Sequence, residues 1–292
     1  MKTKRKNFRS LELAVKNLIN NFGSGIHRSY LLNNSGDVDV VREYQPGDKR
    51  LDCKSSLRAG KIMSRVFNPE KLISVFIILD VSGSGSYGSA RLKIDAGIEA
   101  GLYLSFLAAE AGDNIGLMVF SDVIEKLQEP SLNAQNSTLI LEDLYETASL
   151  GQRGTNLELA LRRCAQLALS NCLLVIISDF LFSRHPQLIK LLKQLNVGVN
   201  NSSIGLVLTN DQEWFWPKQS FAARVVDAES DLSAIINFSL RKTKDRAENS
   251  FAAWKKETAA FLNKGRCRPI FMDVNCDNCL IPLVKHFLKT PT

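Results

Sequence analysis

Five oxygen-bearing residues stand in an order that could hold a hard cation. Asp80, Ser82 and Ser84 lie in "LDVSGSGSYGSARLKID", Thr155 in "GQRGTNL" and Asp179 in "IISDF". Magnesium takes octahedral oxygen ligands and usually keeps several waters. Two serine hydroxyls two residues apart can enter one site from a single loop. Thr155 and the carboxylates of Asp80 and Asp179 would complete that site directly or through water, with Mg²⁺ the expected ion and Mn²⁺ able to replace it. Hydroxyl ligands bring no charge, so such an ion is left under-neutralised and seeks an anionic ligand from outside.

The same stretch also spells G-x-G-x-x-G through Gly83, Gly85 and Gly88, directly after an apolar run. A dinucleotide fold wants an acidic residue about 20 residues past its glycines to hold the ribose. Here the carboxylate at the end of the next apolar run is Asp122, 39 residues beyond Gly83. Asp80 would also set a negative charge beside the incoming pyrophosphate, which a helix N-terminus should attract. A phosphate loop fails too, because Gly88 is followed by Ser89-Ala90 and not by Lys-Ser/Thr. The cation reading accounts for the residues better. The alternative is an enzyme, either a metal-assisted hydrolase at the same ion or a nucleotide-binding protein at Gly83, Gly85 and Gly88. It would need a positioned general base, and no His or Glu stands beside these motifs. His27, His185 and His286 are far apart in sequence and read as surface or capping residues.

Elements of matching length surround these loops. Apolar runs of strand length fall at Val75–Leu79, Ile115–Phe120, Leu173–Ser178, Ile204–Leu208 and Pro269–Val274. Stretches with helical spacing separate most of them, such as "IDAGIEAGLYLSFLAAEAG", "TNLELALRRCAQLAL" and "PQLIKLLKQLN". Continuous hydrophobicity predicts strands covered on both faces. The fold expected is therefore α/β, a doubly wound, mainly parallel sheet. "VIEKLQEP" (Val123–Pro130) suits one antiparallel edge strand made by a hairpin. The segment Asp211–Ser239 reads as a strand-poor excursion, followed by a charged helix from about Arg241 to Leu262. In such a sheet, ligands sit at the carboxyl ends of the strands where their order reverses. The loops after Leu79, before Leu157 and after Ser178 converge if the first and fourth strands are neighbours there.

A chain of 292 residues with 45% hydrophobic residues can bury a large core. "VFIIL" and "CLLVII" are strand-sized, far below the roughly 20 residues of a membrane helix. Glu12 and Lys16 interrupt the apolar stretch a signal peptide would need, so a cytoplasmic protein is expected. The six cysteines then read as reduced thiols, with Cys267, Cys276 and Cys279 too few and too late in the chain for a redox domain or a zinc site. Residues 1–72 hold 15 Lys and Arg against 7 Asp and Glu, whereas the remainder holds 22 against 23. This divides a basic N-terminal segment, 1–72, from a sheet domain, 73–292. The basic segment could touch an acidic partner or, peripherally, an anionic membrane. Basic-aromatic interleaving is missing, so nucleic acid is not expected.

The run Asp80, Ser82, Ser84, Thr155, Asp179 resembles the metal-ion-dependent adhesion site of von Willebrand factor A domains, D-x-S-x-S followed by Thr and then Asp. Upstream, "VREYQPGDKRLDCKSSLRAGKIMSRVF" (Val40–Phe67) resembles the hallmark of the domain of unknown function 58 family, bacterial proteins that join such an A domain to an R-E-Y-x-P-G-D segment. The resemblance spans roughly residues 25–290. It implies a non-enzymatic, metal-dependent protein-binding module, an adaptor for a MoxR-type AAA+ ATPase in complex assembly or activation. Arg42, Glu43, Tyr44, Pro46, Gly47, Asp48, Arg50 and Asp52 form either a packed turn or a partner-docking surface. Two residues depart from the pattern: Cys53 stands where the family usually has tryptophan, and Arg153 where many A domains have glycine.

Overall fold

The computed structural model describes residues 40–45, 53–66, 74–86, 92–111, 113–132, 134–147, 154–197, 201–210, 222–226, 233–237, 241–276 and 279–288. The first unit is a small antiparallel ribbon, β1 (Val40–Glu43) against β2 (Met63–Val66), with the short helix α1 (Cys53–Ala59) between them. Then come β3 (Ser74–Asp80), α2 (Lys93–Ala111), β4 (Asn114–Phe120), β5 (Ile124–Ser131), α3 (Ala134–Thr147), α4 (Leu157–Gln166), β6 (Cys172–Ser178), α5 (Pro186–Leu195) and β7 (Ser202–Thr209). The chain continues through β8 (Ala222–Val226), β9 (Ser233–Asn237), α6 (Arg241–Lys264), β10 (Cys267–Asp273) and α7 (Ile281–Leu288).

Six of these strands form one sheet in the order β10-β7-β6-β3-β4-β5. Every neighbouring pair is parallel except β4 with β5, the antiparallel edge expected from "VIEKLQEP". The strand order reverses around β3, which pairs with β4 on one side and with β6 on the other. The first and fourth sequence-predicted strands are therefore neighbours, and the loops after β3 and β6 leave the same edge side by side.

Burial explains why the strands are apolar without alternation. Val75, Ile77 and Leu79 enter a core cluster with Ile94, Ile98 and Leu102 of α2 and Leu283 and Val284 of α7. Phe76 and Ile78 enter a second cluster with Leu157 and Leu161 of α4, Leu188 and Leu192 of α5, and Leu262 of α6. Each full burial of such a side chain contributes about 1.5–3 kcal/mol. Gly116 in β4 leaves space for the Phe76 ring, because a Cβ there would lie 2.5 Å from Phe76 Cδ2 and 3.0 Å from the Pro130 nitrogen.

Two expectations need correction. The stretch Asp211–Ser239 is not strand-poor, since β8 and β9 pair antiparallel within it. Their five-residue runs are too short to carry a clear period amid the polar residues around them. His286 is buried in α7 rather than exposed, because its position on that helix turns inward with Leu283. His185 is exposed and precedes α5 without a side-chain cap, and His27 lies outside the described residues. Among the described residues, no helix is long and apolar enough to cross a membrane.

Candidate metal centre

The carboxyl ends of β3 and β6 are built alike. Asp80 ends β3, and its Oδ1 accepts the Ser82 N–H at 2.9 Å. Asp179 follows β6, and its Oδ1 accepts the Leu181 N–H at 3.1 Å. Both are short turns in which a carboxylate holds the backbone two residues on, an arrangement open only to Asp, Asn, Ser and Thr. Each carboxylate thereby fixes its own loop.

The second oxygens link the two strands to the helix layer. Asp80 Oδ2 accepts the Ser178 hydroxyl at 2.6 Å, and Ser178 Oγ in turn accepts the Phe180 N–H at 3.0 Å. Asp179 Oδ2 accepts the ammonium of Lys93, the first residue of α2, at 2.7 Å. The Lys93 and Asp179 side chains are 1% and 6% exposed, so this ion pair is screened from water. Burial, reinforced by the nearby Asp179 charge, pushes the Asp80 carboxyl well above the usual carboxylate range; the Ser178 and Ser82 bonds oppose the rise. Among the described residues, the two strand ends thus carry two buried carboxyl groups against one lysine.

After Asp80 the chain enters a 3₁₀ turn, Gly83–Ser86, closed by the Gly85 N–H to the Ser82 carbonyl at 3.0 Å. This turn brings Ser82 Oγ to 3.1 Å from Ser84 Oγ. Adjacent ligands of an octahedral magnesium ion are about 3.0 Å apart, given bonds of about 2.1 Å. The two hydroxyls, hydrogen-bonded to each other, stand at a separation that adjacent ligands of one ion also have, near the buried Asp80. Hydroxyl and carboxylate oxygens are the donors a small divalent cation takes; Ser82 and Ser84 would offer it neutral oxygens, and Asp80 and Asp179 would supply charge.

Thr155 is half-buried on the segment leading into α4. The next residue, Asn156, caps α4 through its Oδ1 to the Leu159 N–H, and its own N–H reaches the Ser121 carbonyl at 2.8 Å. Ser121 follows β4, whose last carbonyl, on Phe120, accepts the Val81 N–H at 2.8 Å. Thr155 is therefore tied through the end of β4 to the loop that carries Ser82.

The glycine reading fares differently. Gly83 and Gly85 build the 3₁₀ turn, and α2 starts ten residues after Gly83, so these glycines do not form a helix N-terminus. Gly88 lies outside the described residues. Of the upstream segment, Arg42 and Glu43 lie in β1, Tyr44 follows it with its N–H on the Ile62 carbonyl, and Glu43 pairs with Lys61 at 3.4 Å, both side chains exposed. Pro46, Gly47, Asp48, Arg50, Asp52 and Arg153 lie outside the described residues. Cys53, in the usual tryptophan position, is exposed at the start of α1. All six cysteines are free thiols, and Cys279 Sγ lies 3.3 Å from Glu99 Oε2.

Sequence reasoning missed Lys93 and Ser178. A lysine at the head of a helix whose remaining face is apolar, and a serine between a buried strand and an aspartate, were the signals available.

The Mycobacterium tuberculosis protein Rv1480, described as uncharacterized, is 25% identical over 178 residues, 59% of this chain and 56% of its own length. The chain thus aligns with little more than half of that relative. Among solved structures, the conserved hypothetical protein BatB of Bacteroides thetaiotaomicron covers 75% of this chain and 98% of its own, at 13% identity and a TM-score of 0.46. The SpRpn10 VWA domain covers 74% of this chain and 94% of its own, at 12% identity and a TM-score of 0.41. The sheet order, its one antiparallel edge and the helices on both faces make a von Willebrand factor A-like fold. With the family model "Protein of unknown function DUF58" matching residues 40–258 in one span, the chain belongs to the DUF58 family.

Proposed function

We propose that this chain is a cytoplasmic, non-enzymatic protein-binding module that grips an acidic side chain of its partner through Mg²⁺, with Mn²⁺ able to replace it. The observation that carries the reading is the 3.1 Å approach of Ser82 Oγ and Ser84 Oγ beside the buried Asp80. The hydroxyls add no charge and Lys93 offsets Asp179, so part of the ion's charge stays uncompensated and a partner Asp or Glu supplies what is missing. Resemblance to the family implies that the partner is a MoxR-type AAA+ ATPase, for which the module acts as an adaptor in assembling or activating client complexes.

The upstream ribbon supports a second contact. Tyr44, Leu57 and Ile62 are apolar or aromatic residues standing in solvent around it. Glu43 and Lys61, also exposed beside them, add charge to an apolar surface of the kind partners bury.

Surface plasmon resonance against the cognate ATPase tests the reading. Association is expected to vanish in EDTA, to return with Mg²⁺, and to be lost in Asp80→Ala and Thr155→Ala. Binding that persists in EDTA, with equal strength for Asp80→Ala, would overturn it.

A further inference from the structure

Lys93 is expensive where it stands. An ammonium withdrawn from water loses several kcal/mol of hydration unless a partner restores it. As the first residue of α2 it also meets the positive end of the helix dipole, where a cation is disfavoured. Nothing about helix formation calls for lysine there. What its side chain reaches is the candidate metal centre, at 2.7 Å from Asp179 Oδ2 with both groups buried.

We propose that Lys93 is a tethered counter-cation of the metal centre, which neutralises Asp179 and so holds the intrinsic affinity for a divalent ion low. This rests on the metal reading above. With Lys93 in place its ammonium offsets the Asp179 charge, so among the described residues a divalent ion meets at most the charge of Asp80. A divalent cation bound there keeps net positive charge that a partner carboxylate relieves. Metal and acidic partner then bind better together than either alone, a coupling that is reciprocal. Without the ammonium, the site would fill with metal unaided and discriminate less sharply for an anionic ligand.

The experiment is a Mn²⁺ titration of the full chain, followed by electron paramagnetic resonance, for the wild type, Lys93→Met, Lys93→Gln and Lys93→Arg. Circular dichroism checks that each is folded. Removing the unit charge that pairs with Asp179 should tighten Mn²⁺ binding in Lys93→Met and Lys93→Gln roughly ten-fold or more, while Lys93→Arg stays near the wild type. Equal or weaker binding in the folded neutral variants, beside a wild type that binds, overturns the role of Lys93 and leaves the metal centre standing. No binding in any of the four removes the metal reading and this inference with it. Should the neutral variants not fold, ¹⁵N-lysine spectra of the wild type decide. The Lys93 ammonium resonance is expected to move as diamagnetic Mg²⁺ fills the site, and a resonance unmoved at full Mg²⁺ occupancy overturns the proposal.

Discussion

The hydroxyl of Ser178 donates to Asp80 Oδ2 at 2.6 Å across 98 residues of sequence, a side-chain tie between the two strands that carry the candidate ligands. Ser178→Ala would leave a buried carboxylate one donor short and would free the Phe180 N–H as well. A loss of about 1–3 kcal/mol is expected, measured by urea unfolding of the metal-free protein.

The serine pair on the loop after β3 is separable from the core. Ser82→Ala with Ser84→Ala removes two hydroxyls from the end of the sheet and no apolar contact. Calorimetric titration should show Mg²⁺ and Mn²⁺ binding abolished, and circular dichroism should show the fold retained. Unchanged metal affinity would remove these serines from the ligand set.

Gly116 is a packing residue in β4. Alanine there drives a methyl carbon against the Phe76 ring and the Pro130 backbone, and only the ring can give way. Overpacking of this kind costs about 1–3 kcal/mol. Thermal unfolding of Gly116→Ala should begin several degrees below the wild type.

Tyr103 of α2 is fully buried, and its hydroxyl has no hydrogen-bond partner among the described residues. Burial pushes the phenol up to about 12. Removing an unsatisfied buried polar atom relieves its desolvation. Tyr103→Phe is therefore expected to be neutral or to stabilise by up to about 1 kcal/mol in urea, whereas a loss above that would reveal a partner for the hydroxyl.

The thiols divide by exposure. Burial pushes Cys164, Cys172 and Cys267 up to about 12, and Cys279 is buried as well, while Cys53 and Cys276 are exposed. Thiolate is the reactive form. A disulfide reagent at pH 8 should titrate two thiols quickly in the native protein and the other four only on unfolding.

The sheet was legible because its signal is local. The central strands read as apolar runs, and the antiparallel edge betrays itself by a short connection and by Pro130 near its far end. The ligand types and their order could be read in the same way, since a strand end followed by Asp or by D-x-S-x-S is a short pattern. Lys93 could not, because its meaning depends on Asp179, 86 residues away, and a lone lysine at a helix start normally points to water. Ser178 was hidden for the same reason. The β8–β9 pair and the burial of His286 depend on neighbours that no sequence window contains.

The place of β3 in the sheet also sets the order in which a growing chain can become functional. Ribosomal synthesis delivers β3, β4 and β5 together, and these three adjacent strands can pair as soon as they emerge. Asp80 is then on one face of a nascent sheet with its neighbouring position vacant. The carboxylate pair comes into being only when β6 docks on the other flank of β3. Asp80 and Asp179 side by side thus report that the second half of the sheet has arrived, and a chain halted before β6 carries only the first of them.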